Sequence, residues 1–260
     1  MSARKQAPAG AADTDSTSAR GLSGDPQADG VPGESQASVT PLRINIITIF
    51  PEFFASPLAL SIPARAAAAG GVEYRVIDLR DFTHDKHRTV DDYPYGGGPG
   101  MVMKPGPFFE AIDALGASAP IVLLSARGRQ FAQADAVRFA AGRELTLLCG
   151  HYKDVDQRVA DHLATEELSL GPFVLSGGEP AALAIIDAVV RLRPGAMSDL
   201  ESAHGDSWWS RELSAPSYTR PPVYRGHAVP EVLLSGDHQR IAAWRRAEGE
   251  RLSRERPDTT

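Results

Sequence analysis

From residue 42 onward the hydrophobic and polar positions fall into blocks whose period keeps changing. Leu42-Arg43-Ile44-Asn45-Ile46-Ile47-Thr48-Ile49-Phe50 is a short β-branched run closed by Pro51, which predicts a buried strand. Residues 57–70 predict a helix, with alanines at 66–69 and Gly70-Gly71 as its stop. Residues 72–79 predict a second strand, and 82–100 a long loop rich in His, Asp and Gly. Helices are then expected over 107–115, 131–142, 155–164 and 180–192, with strands at 121–124, 145–149 and 167–175. Strands alternating with helices predict the α/β class, a parallel sheet with helices on both faces. Residues 194–222 lose this rhythm and read as a linker. Residues 230–254 carry a last helical pattern rich in arginine, and no internal repeat is visible.

Composition changes the picture at the amino end. Residues 1–41 are rich in Ala, Ser, Gly, Asp and Pro and hold few large apolar residues beyond Leu22, Val31 and Val39. Such a segment cannot bury enough surface to offset its chain entropy, so it is expected to be a disordered tail. A transit peptide is the rival reading, opposed by Asp13, Asp15, Asp25, Asp29 and Glu34. The chain has 260 residues, which suggests one or two domains, and a formal net charge of −6. The acidic balance leaves room for a local basic groove. A single cysteine, Cys149, excludes an intramolecular disulfide and a Cys-rich zinc site, and fits a reducing, cytoplasmic setting. No apolar run is long enough for a membrane helix and no Sec-type signal is legible, so no membrane partner is expected.

Four segments carry candidate chemistry. Tyr95-Gly96-Gly97-Gly98-Pro99-Gly100-Met101 is either a plain surface turn or a loop that lets backbone approach a ligand. It has the spacing of neither a phosphate loop nor a dinucleotide fingerprint. Ser125-Ala126-Arg127-Gly128-Arg129 and Cys149-Gly150-His151-Tyr152 each follow a strand, and Leu175-Ser176-Gly177-Gly178-Glu179 precedes a helix. Singly they are ordinary turn chemistry. Together they sit where open α/β sheets bind ligands, outside the carboxyl ends of the strands. Asp206 reads locally as a helix N-cap, Trp208 and Trp209 as core or as base-stacking residues, and Arg191 as a cation at a helix carboxyl end. The seven histidines are scattered without metal-site spacing, so no metal site is expected, and no Gly-x-Ser-x-Gly elbow is present.

The longer motifs change the weight of these loops. Thr83-His84-Asp85-Lys86-His87-Arg88-Thr89-Val90-Asp91-Asp92, followed by Pro94-Tyr95-Gly96-Gly97-Gly98-Pro99-Gly100-Met101, closely resembles the bacterial tRNA (guanine-N1)-methyltransferases of the TrmD family. So do Val174-Leu175-Ser176-Gly177-Gly178-Glu179, Ser217-Tyr218-Thr219-Arg220-Pro221 and Val232-Leu233-Leu234-Ser235-Gly236-Asp237-His238, and the likeness runs from about residue 43 to 246. The resemblance implies a SPOUT fold, an α/β parallel sheet with a deep trefoil knot, over 42–197. It implies a linker at 198–211 and a small helical C-terminal domain at 212–260 that contacts tRNA. It implies a homodimer with active sites between subunits, S-adenosylmethionine as cofactor, and methylation of guanine N1 at tRNA position 37, beside the anticodon. Magnesium assists the family, though no ligand set is legible in this sequence.

Carried over by position, the cofactor residues are Leu123, Leu124, Ser125, Gly150, Tyr152, Leu170, Gly171, Phe173, Leu175, Gly177 and Gly178. Asp206 and Arg191 fall on the family's catalytic aspartate and arginine. Asp91, Pro99 and Gly100 fall where the target guanine is received. The family usually reads Gly-Arg-Tyr-Glu-Gly where this chain has Gly150-His151-Tyr152-Lys153-Asp154, and Gln where it has Arg127. Many members have an acid where this chain has Ser214. These departures leave two further readings open: a divergent paralogue acting on another RNA or a guanine-like substrate, and a non-catalytic RNA- or cofactor-binding protein.

Overall fold

Strand alternation divides the core before any helix is placed. The computed structural model describes residues 40–197, 206–209 and 212–255. The expected tail lies outside the described residues except for Thr40 and Pro41, and so does the expected linker except for residues 206–209. In chain order the elements are β1 (Leu42–Thr48), α1 (Ala55–Leu58), α2 (Ser61–Ala68), β2 (Val72–Asp78), β3 (Asp91–Asp92), β4 (Val102–Met103) and α3 (Pro105–Leu115). Then follow β5 (Ile121–Gln130), α4 (Gln133–Ala140), β6 (Glu144–Cys149), β7 (Asp154–Val155), α5 (Gln157–His162), β8 (Glu166–Ser169) and α6 (Glu179–Val190). The carboxyl-terminal part holds β9 (Val223–Tyr224), β10 (His227–Ala228), α7 (Glu231–Leu234) and α8 (His238–Glu255).

The large sheet has the order β2-β1-β6-β5-β8, with every pair parallel. Successive side chains of a strand point to opposite faces, and each central strand feeds two cores. Leu42, Ile44 and Ile46 of β1, Val122 and Leu124 of β5, and Leu145 and Leu147 of β6 pack on one side with Ala136 and Phe139 of α4 and Ile185, Ile186 and Val189 of α6. Ile47, Ile121, Leu123 and Leu148 pack on the other with Phe108 and Ala111 of α3 and Val159 of α5. This is the doubly covered parallel sheet that the block pattern predicts.

Four expectations are corrected in detail. The helix expected over 57–70 is broken into α1 and α2, because Pro63 has no N–H to continue a helix and fits only within a first turn. The strand expected over 167–175 ends at Ser169. Pro172 follows shortly, and Ser169 Oγ and the Gly171 N–H lie 3.1 Å apart in a tight turn. The helix expected from 155 starts at 157, because 154–155 form β7. Conversely, β5 runs past its apolar part. After Leu124 pairs with Leu168, the strand loops out and resumes with Arg129 opposite Leu168 and Gln130 opposite Ser169. Gly128 lies at this crossing, where a Cβ would collide with the backbone of Glu167 and Leu168.

Charge fastens the same region. Arg129 donates to both carboxylate oxygens of Asp135, each at 2.7 Å, and to Glu166 at 2.7 Å, while Arg138 donates to the same two acids. The Arg129 bonds, with the Ala132 N–H and Arg138, outweigh desolvation and hold the Asp135 carboxyl down at about 2. Arg193, just past α6 and one residue before the stretch read as linker, is buried. It donates to the carbonyls of Gly71, Ala140 and Thr40.

Two predictions follow from these contacts. Gly128→Ala should cost about 2–3 kcal/mol, read by urea unfolding, because backbone cannot yield as a side chain does. Gly106→Ala, where a Cβ meets nothing within 4 Å, should be neutral or slightly stabilising. The Asp135 carboxyl is depressed on folding from an ordinary value of 3.8 to about 2, so its contribution is complete above roughly pH 4 and drains away as pH falls toward 2. At about 1.4 kcal/mol per unit that is roughly 2 kcal/mol, and Asp135→Asn should flatten this part of the acid-unfolding curve.

Candidate functional site

The carboxyl ends of β5, β6 and β8 open onto one cleft. Leu123, Leu124 and Ser125 reach it from β5, and Gly150 and Tyr152 from the turn after β6. Leu170, Gly171, Phe173, Leu175, Gly177 and Gly178 reach it from the segment between β8 and α6. All eleven residues singled out for the cofactor therefore line the same cleft. Ala126, Val155, Leu168, Ser169, Val174, Ser176 and Ala181 line it too. Ala126, Val174 and Ser176 belong to the motifs singled out above without a cofactor role, whereas Val155, Leu168, Ser169 and Ala181 carry no motif and only adjoin those segments.

Glycines let the walls meet. A Cβ on Gly178 would stand 2.8 Å from the Cα of Cys149 and 3.1 Å from the nitrogen of Gly150. The Gly178 N–H instead donates to the Gly150 carbonyl at 2.8 Å, and His151 and Gly177 form an antiparallel bridge. The turn into α6 is thus stitched to the end of β6. Tyr152 takes a φ of +61°, a left-handed backbone rare for a non-glycine residue. Phe173, Val174 and Leu175 expose apolar surface at the rim.

Behind the Gly177–Gly178 wall, at the first turn of α6, Glu179 is buried. Its side chain is 4% exposed and accepts a 2.7 Å hydrogen bond from Thr48 Oγ1. His151 Nδ1 faces it at 3.8 Å, and the imidazole meets Phe50 and Tyr152 edge-on. Burial, and then the Glu179 charge, push the Cys149 thiol well above its ordinary range, so it stays protonated and unreactive. At the rim Arg127 pairs with Asp154 through two contacts of 3.0 and 3.2 Å, and its Nε lies 3.8 Å from Glu167. Two of the residues that depart from the family pattern thus pair with each other.

The glycine loop adjoins this cleft through a small sheet, β3-β4-β7, that the sequence reading did not foresee. Asp91 in β3 pairs with Met103, and Val102 in β4 pairs with Asp154 in β7. Lys153 donates its N–H to the Met101 carbonyl at 3.0 Å. Gly100 has a φ of +90°, and a Cβ there would sit 3.2 Å from the Lys153 Cβ. Pro99 and Gly100 are exposed, and Asp91 is half-buried.

Arg191 and Asp206 stand apart from that cleft. Arg191 caps the carboxyl end of α6 and donates through Nη2 to Asp206 Oδ2 at 2.6 Å. The Asp206 carboxylate thus turns to Arg191, and it is the backbone carbonyl that meets the Trp209 N–H, at 3.4 Å. Ser207 holds this turn, its Oγ accepting from the Ser214 N–H at 3.0 Å and lying 2.8 Å from the Ser214 hydroxyl. Asp206 also lines a second concavity with Tyr218, Arg220, Arg245 and Arg246. Trp208 and Trp209 lie beside Asp206, both partly exposed. Among the described residues no group of three His, Cys, Asp or Glu side chains could hold a metal ion, and no helix is long and apolar enough to cross a membrane.

The tRNA (Guanine-1)-methyltransferase TrmD family model matches residues 42–260. A tRNA (guanine-N(1)-)-methyltransferase of Dehalococcoides mccartyi is 50% identical over 222 residues, covering 84% of this chain and 90% of the relative. One of Gloeobacter violaceus is 52% identical over 221 residues, covering 84% and 97%. One of Geobacillus kaustophilus is 47% identical over 221 residues, covering 84% and 91%. A cleft at the strand ends, walled by the same glycine segments that carry the likeness, accompanies a match over residues 42–260, and the chain belongs to the TrmD family of tRNA (guanine-1)-methyltransferases.

Proposed function

We propose that this protein transfers the methyl group of S-adenosylmethionine to N1 of the guanosine at position 37 of tRNA. The observation that carries this reading is the convergence of all eleven cofactor candidates on one cleft. Its lining fits the cofactor. Leu124, Leu170 and Leu175 offer apolar surface to an adenine, and glycine backbone at 150, 177 and 178 admits close approach. When bound there, S-adenosylmethionine supplies a methyl group on a sulfonium.

The chain's own residues supply the rest. Guanine N1 carries a proton at neutral pH, and Asp206 accepts it within hydrogen-bond reach. Negative charge then grows on O6, where the Arg191 guanidinium stabilises it. Asp91, Pro99 and Gly100 receive the target base, and the cleft walls hold the reacting groups in line. No magnesium ligand set is assigned. The described residues offer no metal-binding group, and at the cleft rim Asp154 and Glu167 are both engaged by Arg127.

In this reading residues 42–197 form a SPOUT domain with a deep trefoil knot, one of the rare exceptions to unthreaded connections. The crossing of β5 over β8 at Gly128, and the return of the chain from β8 to the end of β6 at Gly178, support it. Residues 198–211 serve as linker and 212–260 as the small helical domain that holds tRNA in the cytoplasm, with Arg245 and Arg246 toward phosphates. A homodimer completes the active site. The 12 residues of α6 span about 18 Å at 1.5 Å per residue, placing one chain's cleft and its own Arg191–Asp206 pair at opposite ends of a helix.

The test is methyl transfer from labelled S-adenosylmethionine to two tRNA transcripts, one with guanosines at positions 36 and 37 and one with position 37 changed. Methylation of the first alone, mapped to N1, is expected. Transfer to neither would overturn the reading. Asp206→Ala should slow single-turnover transfer by about 10²–10⁴-fold while leaving cofactor affinity by calorimetry nearly intact. A full rate would remove Asp206 from the role of base. Arg191→Ala should slow the same step by about 10²–10³-fold, and an unchanged rate would exclude it from O6 stabilisation.

A further inference from the structure

We infer that Lys153 is a phosphate-binding residue for the RNA substrate, seated where the cofactor cleft meets the glycine loop. The inference rests on the tRNA reading above and adds a contact at a position where the family pattern has an acid. Three features place the cation. Its backbone is fixed, by the N–H bond to Met101 and by the pairing of β7 with β4 directly after it. Its side chain runs beneath the loop. A Cβ on Gly100 would stand 3.5 Å from Lys153 Cδ, and one on Gly98 3.7 Å from Nζ. The loop above it is bare, since a Cβ on Gly96 or Gly97 would meet nothing within 4 Å. A ligand arriving from solvent therefore reaches the ammonium without displacing a side chain.

The charge is also uncompensated. Among the described residues no carboxylate lies within 4.0 Å of Lys153 Nζ, although Asp154 is next in the chain, because the Asp154 carboxylate is turned to Arg127. A compact ammonium on an exposed stem suits a phosphate oxygen as a point charge. Lys153 also lines the cleft, so the cofactor's own carboxylate is the competing source of that anion, and the cofactor arm of the experiment separates the two.

The experiment measures binding of a tRNA transcript by fluorescence anisotropy at several salt concentrations, with S-adenosylhomocysteine saturating the cleft. Wild type is compared with Lys153→Met, which keeps the stem, and Lys153→Arg, which keeps the charge. The slope of log affinity against log salt should fall by about 0.7–0.9 in Lys153→Met, the loss of one phosphate contact. Affinity at low salt should fall several-fold, and Lys153→Arg should restore both. S-adenosylhomocysteine affinity, by calorimetry, should stay within about twofold. An unchanged slope overturns the inference. So does a loss that appears in cofactor affinity instead, which would assign the anion to the cofactor. Wild-type protein that binds the transcript but methylates nothing would overturn the proposed function while leaving the slope comparison decisive for Lys153. Protein that binds no tRNA would overturn both.

Discussion

The whole site depends on backbone passing backbone where no side chain can stand. At Gly128 the second half of β5 crosses Glu167 and Leu168 of β8, and at Gly178 the chain entering α6 crosses Cys149 and Gly150 at the end of β6. Each crossing is possible only because glycine has no Cβ. Together they bring three segments, distant in sequence, to one edge of the sheet. The strand order makes this necessary. β6 is inserted between β1 and β5, so the path from β6 to β8 must pass β5, and the path from β8 to α6 must come back to β6. The cleft is what those two passages enclose.

Charge within the cleft follows from the same geometry. Arg127 lies in the part of β5 that loops out, and Asp154 in the strand that joins the glycine loop to the cleft. Both are about half exposed, so their ion pair adds little to stability. Its consequence is local. It couples the rim on the β5 side to the β4–β7 ladder. Within the substituted loop Arg127 and Asp154 satisfy each other, His151 turns its buried nitrogen toward Glu179 without a hydrogen bond, and among the described residues Lys153 makes no ion pair.

The five-stranded sheet was legible because each central strand alternates between two cores, and that leaves a dense run of branched residues such as Ile44–Ile49. What was not legible depended on partners distant in sequence. Arg127-Gly128-Arg129 reads as a loop, yet Arg129 resumes the strand because Leu168 offers it backbone and Asp135 and Glu166 offer it charge. β3, β4 and β7 are two residues each, too short to carry a period. Arg193 lies just past the expected helix, and no local pattern announces that three carbonyls will surround it. The cofactor candidates were named from strand ends and family likeness. That they line one cleft, and that Arg127 meets Asp154, required the fold.

The separation of the cleft from the Arg191–Asp206 pair is the last consequence of α6. Its amino end, at Gly178 and Ala181, lines the cleft, and its carboxyl end carries Arg191. The helix is packed through Ile185, Ile186, Val189 and Val190 and cannot shorten or bend to bring its ends together. Asp206 is held to the far end by Arg191 and by the Ser207–Ser214 contacts. An arginine side chain reaches only about half the roughly 18 Å that 12 helical residues cover, whereas methyl transfer needs donor and acceptor in van der Waals contact. A chain acting alone would hold its cofactor and its proposed base at opposite ends of a rigid rod. Two chains with the ends of α6 exchanged would bring each cleft to the other's Arg191–Asp206 pair. In the proposed homodimer the exposed Phe173, Val174 and Leu175 at the rim would gain a partner surface, and the proposed cofactor site and base would meet between two chains.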